Sequence, residues 1–211
     1  STAALADALG GVEPGPERAL ITDVAYGTLR WLPALDAALG ARLADPTALP
    51  ATVLDALRAG AFERRVRGTP AHAAVHAWVE EVKRLPGPAA RLSGLVNAVL
   101  RRVDLADARG PAASAGLPEP LWLHLAASLG SHAAAAARAM LQPEPLWVTA
   151  YGDDALELLR AEGAEVRPGP LTGSWALRPG RPLGALAAFR RGAIQPQNPS
   201  SAAVVSALGD V

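Results

Sequence analysis

Residues 90–103 read ARLSGLVNAVLRRV, with Leu92, Leu95, Val96, Val99, Leu100 and Val103 at successive offsets of three, four, seven, eight and eleven. Apolar side chains at that spacing line one side of a helix, because a turn takes 3.6 residues. On the same wheel Arg101 lies opposite the apolar face, Arg102 at its edge and Asn97 on the other flank. So short a helix is stable only when neighbours cover that face. Three upstream segments have the matching pattern: ERALITDVAYGTLRWL (17–32), ATVLDALRAGAFERRVRG (51–68) and AHAAVHAWVEEVKRL (71–85). In the first, Leu20, Val24, Gly27 and Trp31 share a stripe, and Gly27 lets a neighbouring helix come close. In the last, Val75, Val79 and Val82 form the stripe, and Pro86-Gly87-Pro88 stops the helix. Proline and glycine punctuate these segments, so the spacing predicts a helical bundle.

After this bundle the residues DLADARGPAASAGL (104–117) have the small, polar, Gly- and Pro-containing composition of a connection, and a boundary is expected near residue 110. Two further helices follow, in 117–130 and 131–142. The pattern then changes to short strands: LWVTAY (146–151), AEVR (164–167), SWALR (174–178) and GAIQPQ (192–197), with helices at ALELLRAE (155–162) and RPLGALAAF (181–189). That order, βαββαβ, is the order of a ferredoxin-like or RRM-like unit. The expected fold class is therefore mostly α: a helical bundle followed by a small α+β subdomain.

The chain has 211 residues, half of them hydrophobic, and 20 basic against 20 acidic side chains. A net charge of zero removes the long-range field by which strongly basic proteins gather nucleic acid, so any RNA contact must be local. Neither half is strongly basic, with 13 basic and 12 acidic residues in 1–112 and 7 and 8 in 113–211. There is no cysteine, which excludes disulfides, thiolate zinc ligands and thiol nucleophiles within these residues. No apolar run of about 18 residues is present, and no charged leader with an apolar core precedes the first helix. A cytoplasmic protein without membrane association is expected.

Few motifs carry chemistry. His72 and His76 form a helical i, i+4 pair that could face a metal, but no Glu stands between them in the HExxH manner and no third ligand is apparent, so no metal is expected. Neither a GxxxxGK(S/T) loop nor a GxGxxG turn occurs. Arginines cluster at Arg64, Arg65 and Arg67, at Arg101 and Arg102, and at Arg190 and Arg191. A guanidinium donates two parallel hydrogen bonds to a phosphate and stacks on bases, so these are the candidate RNA contacts. The five tryptophans, Trp31, Trp78, Trp122, Trp147 and Trp175, sit in or beside apolar stripes and are expected to pack in the core or between domains. A working RRM would carry aromatics on its central strands, for which Trp147, Tyr151 and Trp175 are the candidates.

Taken in series, these segments resemble the bacterial ribosomal RNA cytosine 5-methyltransferases of the RsmB (Sun, Fmu) type. ERALITDVAYGTLRWLPALDAAL is similar to that family's early helix pair, RGTPAHAAVHAWVEEVKR to its Pro-x-His-Ala segment, and RLSGLVNAVLRRV to its Asn-Ala-Val-Leu-Arg helix. PLWLHLAASLG and GAIQPQNPSSAAVVSALG continue the order. The family's Gln-Asp-x-Ser-Ser stretch is met by Gln197, Asn198, Ser200 and Ser201, with Asn198 in place of the acid.

The resemblance implies a NusB-like helical RNA-binding domain over 1–110, a helical linker and RRM-like subdomain over 111–196, and the start of a methyltransferase domain over 197–211. It also implies the function: positioning of small-subunit (16S) ribosomal RNA for methylation by a catalytic domain outside this chain. That domain would bind S-adenosylmethionine and attack cytosine with a cysteine thiolate. This chain, with neither cysteine nor cofactor loop, is expected to bind RNA as a monomer, to hold no cofactor itself, and not to bind DNA. Two alternatives are a stand-alone interaction module like the antitermination factor NusB and a catalytically degenerate paralogue.

Overall fold

The computed structural model describes residues 7–13, 15–152 and 154–207, which fall into two compact units, 1–142 and 143–211. The first is helical. Helix α1 (Pro16–Arg30) begins with a proline, whose missing N–H is no loss at a helix start, and is followed by α2 (Leu32–Gly40) and α3 (Ala51–Phe62). Helix α3 runs into a π-helical turn, Glu63–Arg67, which Gly68 ends at φ 80°, a left-handed conformation that suits glycine. Helix α4 (Ala71–Arg84) and helix α5 (Ser93–Arg102) complete the bundle, joined through a 3-10 turn over Gly87–Leu92.

The apolar stripe quoted first is the seam of this unit. Val96, Val99, Leu100 and Val103 are buried against Leu57 and Phe62 of α3, Val75 and Val82 of α4, and Leu35 and Leu39 of α2. Two glycines set how closely the helices approach. Gly27 of α1 is buried, and a Cβ there would lie 1.9 Å from Cζ of Phe62; at Gly60 a Cβ would lie 2.7 Å from Cδ1 of Leu100. Leu20, expected on the same stripe as Gly27, is instead exposed, as are Ile21 and Leu29.

Residues 104–117 are not a solvent-exposed connection. Ala108 joins the bundle's apolar cluster, Ala112 and Leu117 are buried, and Arg42 Nε donates to Asp107 Oδ2 at 2.9 Å. These residues form a 3-10 turn (Leu105–Asp107) and helix α6 (Pro111–Ser114), followed by α7 (Glu119–Leu129) and α8 (Ala133–Met140). Small apolar side chains looked like linker composition, yet they pack. The two compact units divide at Gln142–Pro143.

The second unit has the expected order: β1 (Leu146–Ala150), α9 (Ala155–Ala161), β2 (Glu165–Pro168), β3 (Ser174–Arg178), α10 (Ala187–Arg190) and β4 (Ile194–Pro196), then α11 (Pro199–Ala207). The strands form one antiparallel sheet in the order β2-β3-β1-β4. Side chains alternate across it. Val148, Leu177 and Ile194 face Ala155 and Leu159 of α9, Leu186 just before α10 and Ala188 within it, and together they make the small core. Among the described residues no helix is long and apolar enough to cross a membrane.

Candidate nucleic-acid interface

Helices α4 and α5 lie side by side with their apolar faces turned into the bundle, so their polar flanks diverge at the surface. Between the flanks runs a groove of ≈ 560 Å³. His72, His76 and Lys83 line it from α4, Asn97 and Arg101 from α5, and Arg64 from the π-helical turn. Gly94 leaves the α5 side open, since a Cβ there would meet nothing within 4 Å. The i, i+4 spacing that puts His72 and His76 on one face also puts Asn97 and Arg101 on one face. Two histidines that suggested only a metal pair thus stand across from an amide and a guanidinium.

Two of the groove's charges are coupled to neighbours. Lys83 Nζ pairs with Glu80 Oε1 at 2.7 Å, and the ammonium holds the Glu80 carboxyl below its ordinary range. Arg101 Nε donates to Asn97 Oδ1 at 3.0 Å, which leaves its terminal nitrogens turned to solvent. Arg102, also exposed, forms no ion pair among the described residues. Imidazole, amide and guanidinium N–H groups along an open groove can hold an anion such as a backbone phosphate.

The other candidate arginines of the first unit, Arg64, Arg65 and Arg67, are tied into the fold. Arg64 donates from Nη1 to the Val103 carbonyl at 2.7 Å and from Nη2 to the Arg101 carbonyl at 2.9 Å. Arg65 Nε donates to the same Val103 carbonyl at 2.7 Å while its Nη2 pairs with Asp104 at 2.8 Å. Both therefore satisfy carbonyls left over at the end of α5 and put positive charge at its negative pole. Burial draws the Arg64 guanidinium's pKa down, and its Nε is buried without a partner, yet an arginine keeps its charge. Arg67 bonds Asp23 and Thr69, each at 3.0 Å. Replacing Arg64 by Met, which keeps the stem and removes the donors, should lower stability by about 1–3 kcal/mol, the range for hydrogen bonds made by a charged group, although Arg65 still satisfies the Val103 carbonyl. RNA affinity per folded molecule should change little; an unchanged melting temperature with weakened RNA binding would reverse the assignment.

The remaining candidates lie in the second unit. Arg190 and Arg191 are exposed at the end of α10. Gln197 belongs to the sheet: its N–H donates to the Trp147 carbonyl at 3.0 Å and its Oε1 accepts from Thr149 Oγ1 at 2.8 Å. Asn198 Oδ1 accepts from the Ser200 N–H at 2.9 Å, the N-cap bond of α11, whose first turn carries Ser200 and Ser201, both exposed. An aspartate could make the same cap, so the replacement at 198 is structurally mild.

Comparison with known proteins agrees with this architecture. The NusB family model matches residues 2–105. The chain is 40% identical over 189 residues to ribosomal RNA small subunit methyltransferase B of Thermus thermophilus, covering 89% of this chain and 42% of that protein. It is 32% identical over 213 residues to the protein of the same name from Xanthomonas campestris, covering 98% of this chain and 48% of the relative. The chain thus spans less than half the length of these relatives. Residues 2–105 are thus similar to the NusB family, and the chain is similar over most of its length to ribosomal RNA small subunit methyltransferase B.

Proposed function

We propose that this chain is the RNA-binding part of a cytoplasmic, S-adenosylmethionine-dependent 16S ribosomal RNA cytosine-5 methyltransferase, and that it positions small-subunit RNA through the α4–α5 groove. The observation that carries the reading is the convergence of His72, His76, Lys83, Asn97 and Arg101 on one groove of a NusB-like domain. Arg101 and Arg102 supply the phosphate contacts. Arg64 and Arg65 hold the end of α5 in place. Arg190 and Arg191, which form no ion pair among the described residues, are guanidinium groups of the same kind in the second unit.

The described residues do not fit S-adenosylmethionine. Their one sheet is antiparallel throughout, so it lacks the parallel strand, Gly-rich turn and helix that cradle such cofactors. With no cysteine in 211 residues, the thiolate attack on cytosine falls to residues outside this sequence. What these residues contribute is orientation: a fixed RNA element is presented to the chemistry instead of being found by diffusion.

The test is binding of the chain to a transcript of 16S ribosomal RNA across a salt series. Replacing Arg101 and Arg102 together by Ala should weaken binding evenly across sequences and lower the slope of log K against log salt by roughly one per arginine. Equal affinity and slope would remove both residues from the interface. A parent chain that holds the transcript no better than an unrelated RNA of the same length would overturn the reading.

A further inference from the structure

In the second unit α9 and α10 pack on one face of the sheet, and the opposite face carries an aromatic pair that the small core does not use. Trp175 packs against that core, whereas Trp147 and Tyr151 belong to neither apolar cluster. Trp147, expected to pack in the core or between domains, is half-buried and lies outside both clusters. The reason is parity: Val148 faces the helices, so Trp147, Thr149 and Tyr151 face the other way.

Cross-strand register fills in the rest of this face, because directly opposed residues share a side. Trp147 opposes Ala176, which opposes Arg167; Thr149 opposes Gln195. Tyr151 is 48% exposed, and its hydroxyl donates to Gln195 Oε1 at 3.3 Å. Trp147 Nε1 donates to Glu144 Oε1 at 2.6 Å, which fixes the indole's orientation. Arg178, opposite Glu165, lies on the same face, and neither Arg167 nor Arg178 forms an ion pair among the described residues.

We infer that this face binds single-stranded RNA, with bases stacked on Trp147 and Tyr151, amide contacts from Gln195, and backbone phosphates met by Arg167 and Arg178. Positions 147 and 151 are about 13 Å apart along the strand direction, four residues at about 3.3 Å each, so each ring can seat one base with Thr149 between them. Aromatic rings on an open sheet stack on any base, while the arginines complement the backbone charge. Gln197 is half-buried and bonded to Thr149, whereas Gln195 is exposed and can turn its amide N–H groups to base edges. This inference rests on the reading of the chain as an RNA binder, and it adds a second, single-strand-selective surface to the α4–α5 groove.

The experiment uses the whole chain and two fluorescein-labelled probes: a single-stranded oligouridylate of about 12 nucleotides, within the range of one small stacking domain, and a blunt RNA duplex of equal length. Trp147→Ala and Tyr151→Ala should each weaken oligouridylate binding roughly 5- to 100-fold and leave duplex binding unchanged. Trp147→Phe and Tyr151→Phe, which keep a ring, should retain most of the affinity. Arg101→Ala with Arg102→Ala should weaken both probes. If the alanine variants melt like the parent and hold oligouridylate equally well, while the arginine pair still matters, the sheet-face site is overturned and the groove stands. Equal losses in the alanine and phenylalanine variants would likewise overturn stacking. A parent chain that binds neither probe would overturn both sites.

Discussion

Gly27→Val should lower the melting temperature of this chain by roughly 6–12 °C, the shift expected of about 3 kcal/mol in a chain of this size. In an open helix, replacing an interior glycine stabilises by about 0.5–1 kcal/mol, because glycine loses the most backbone freedom on folding. Here the sign is reversed by space. A Cβ at position 27 would stand 1.9 Å from Phe62 Cζ and 2.5 Å from both Cε atoms. Phe62 is 5% exposed within the bundle's core and has nowhere to swing. Valine adds two methyl groups to that overlap, so α1 must lift from α3 or the ring must leave its well. Thermal melting followed by circular dichroism gives the shift. Phe62→Leu in the same molecule should recover part of it, since the two changes share one contact and their effects cannot add. A Gly27→Val chain that melts with the parent would mean that α1 does not pack on Phe62.

What the residues revealed in advance divides along the range of the interactions involved. The helices of the bundle and the strand order of the second unit follow from local periodicity, which is imposed within each segment by a face that must be covered. The closeness at Gly27 was legible for the same reason: a glycine on an apolar stripe has no other use there. Roles that depend on distant partners were not legible. Arg64 and Arg65 look like phosphate ligands in a string of basic residues, but their acceptors are carbonyls at the end of α5, 37 to 39 residues on. Nothing in the sequence of the π-helical turn announces those carbonyls.

The same limit applies to residues 104–117 and to the groove. Ala108, Ala112 and Leu117 sit in a stretch with linker composition, and only the packed structure shows that they are buried. Asn97 was visible on the flank of α5 and His76 on α4, but their facing one another depends on how two helices dock. The spacing signal was present in both helices: His72 with His76, and Asn97 with Arg101, each pair one turn apart on a polar flank.

Helix α5 offers the sharpest separation of fold from function, because neighbouring residues serve opposite faces. Leu100 is fully buried, and its Cδ1 would lie only 2.7 Å from a Cβ at Gly60, so it fills the space that glycine leaves. Leu100→Ala should therefore cost about 2–5 kcal/mol, near the upper end if the backbone of α3 cannot close on the cavity, and lower the melting temperature by on the order of 10 °C. Arg101→Ala, one residue on, should stay within about 0.5 kcal/mol of the parent, because that side chain is exposed and, among the described residues, bonds only Asn97. The RNA readout should run the other way. At a temperature where both variants are folded, Leu100→Ala should bind the 16S transcript nearly as well as the parent, and Arg101→Ala should bind it more weakly with a shallower salt dependence. Weakened binding in Leu100→Ala under those conditions would mean that the groove deforms when the seam beneath it loosens. Affinity would then depend on the docking of α4 against α5 as well as on the charges along its rim.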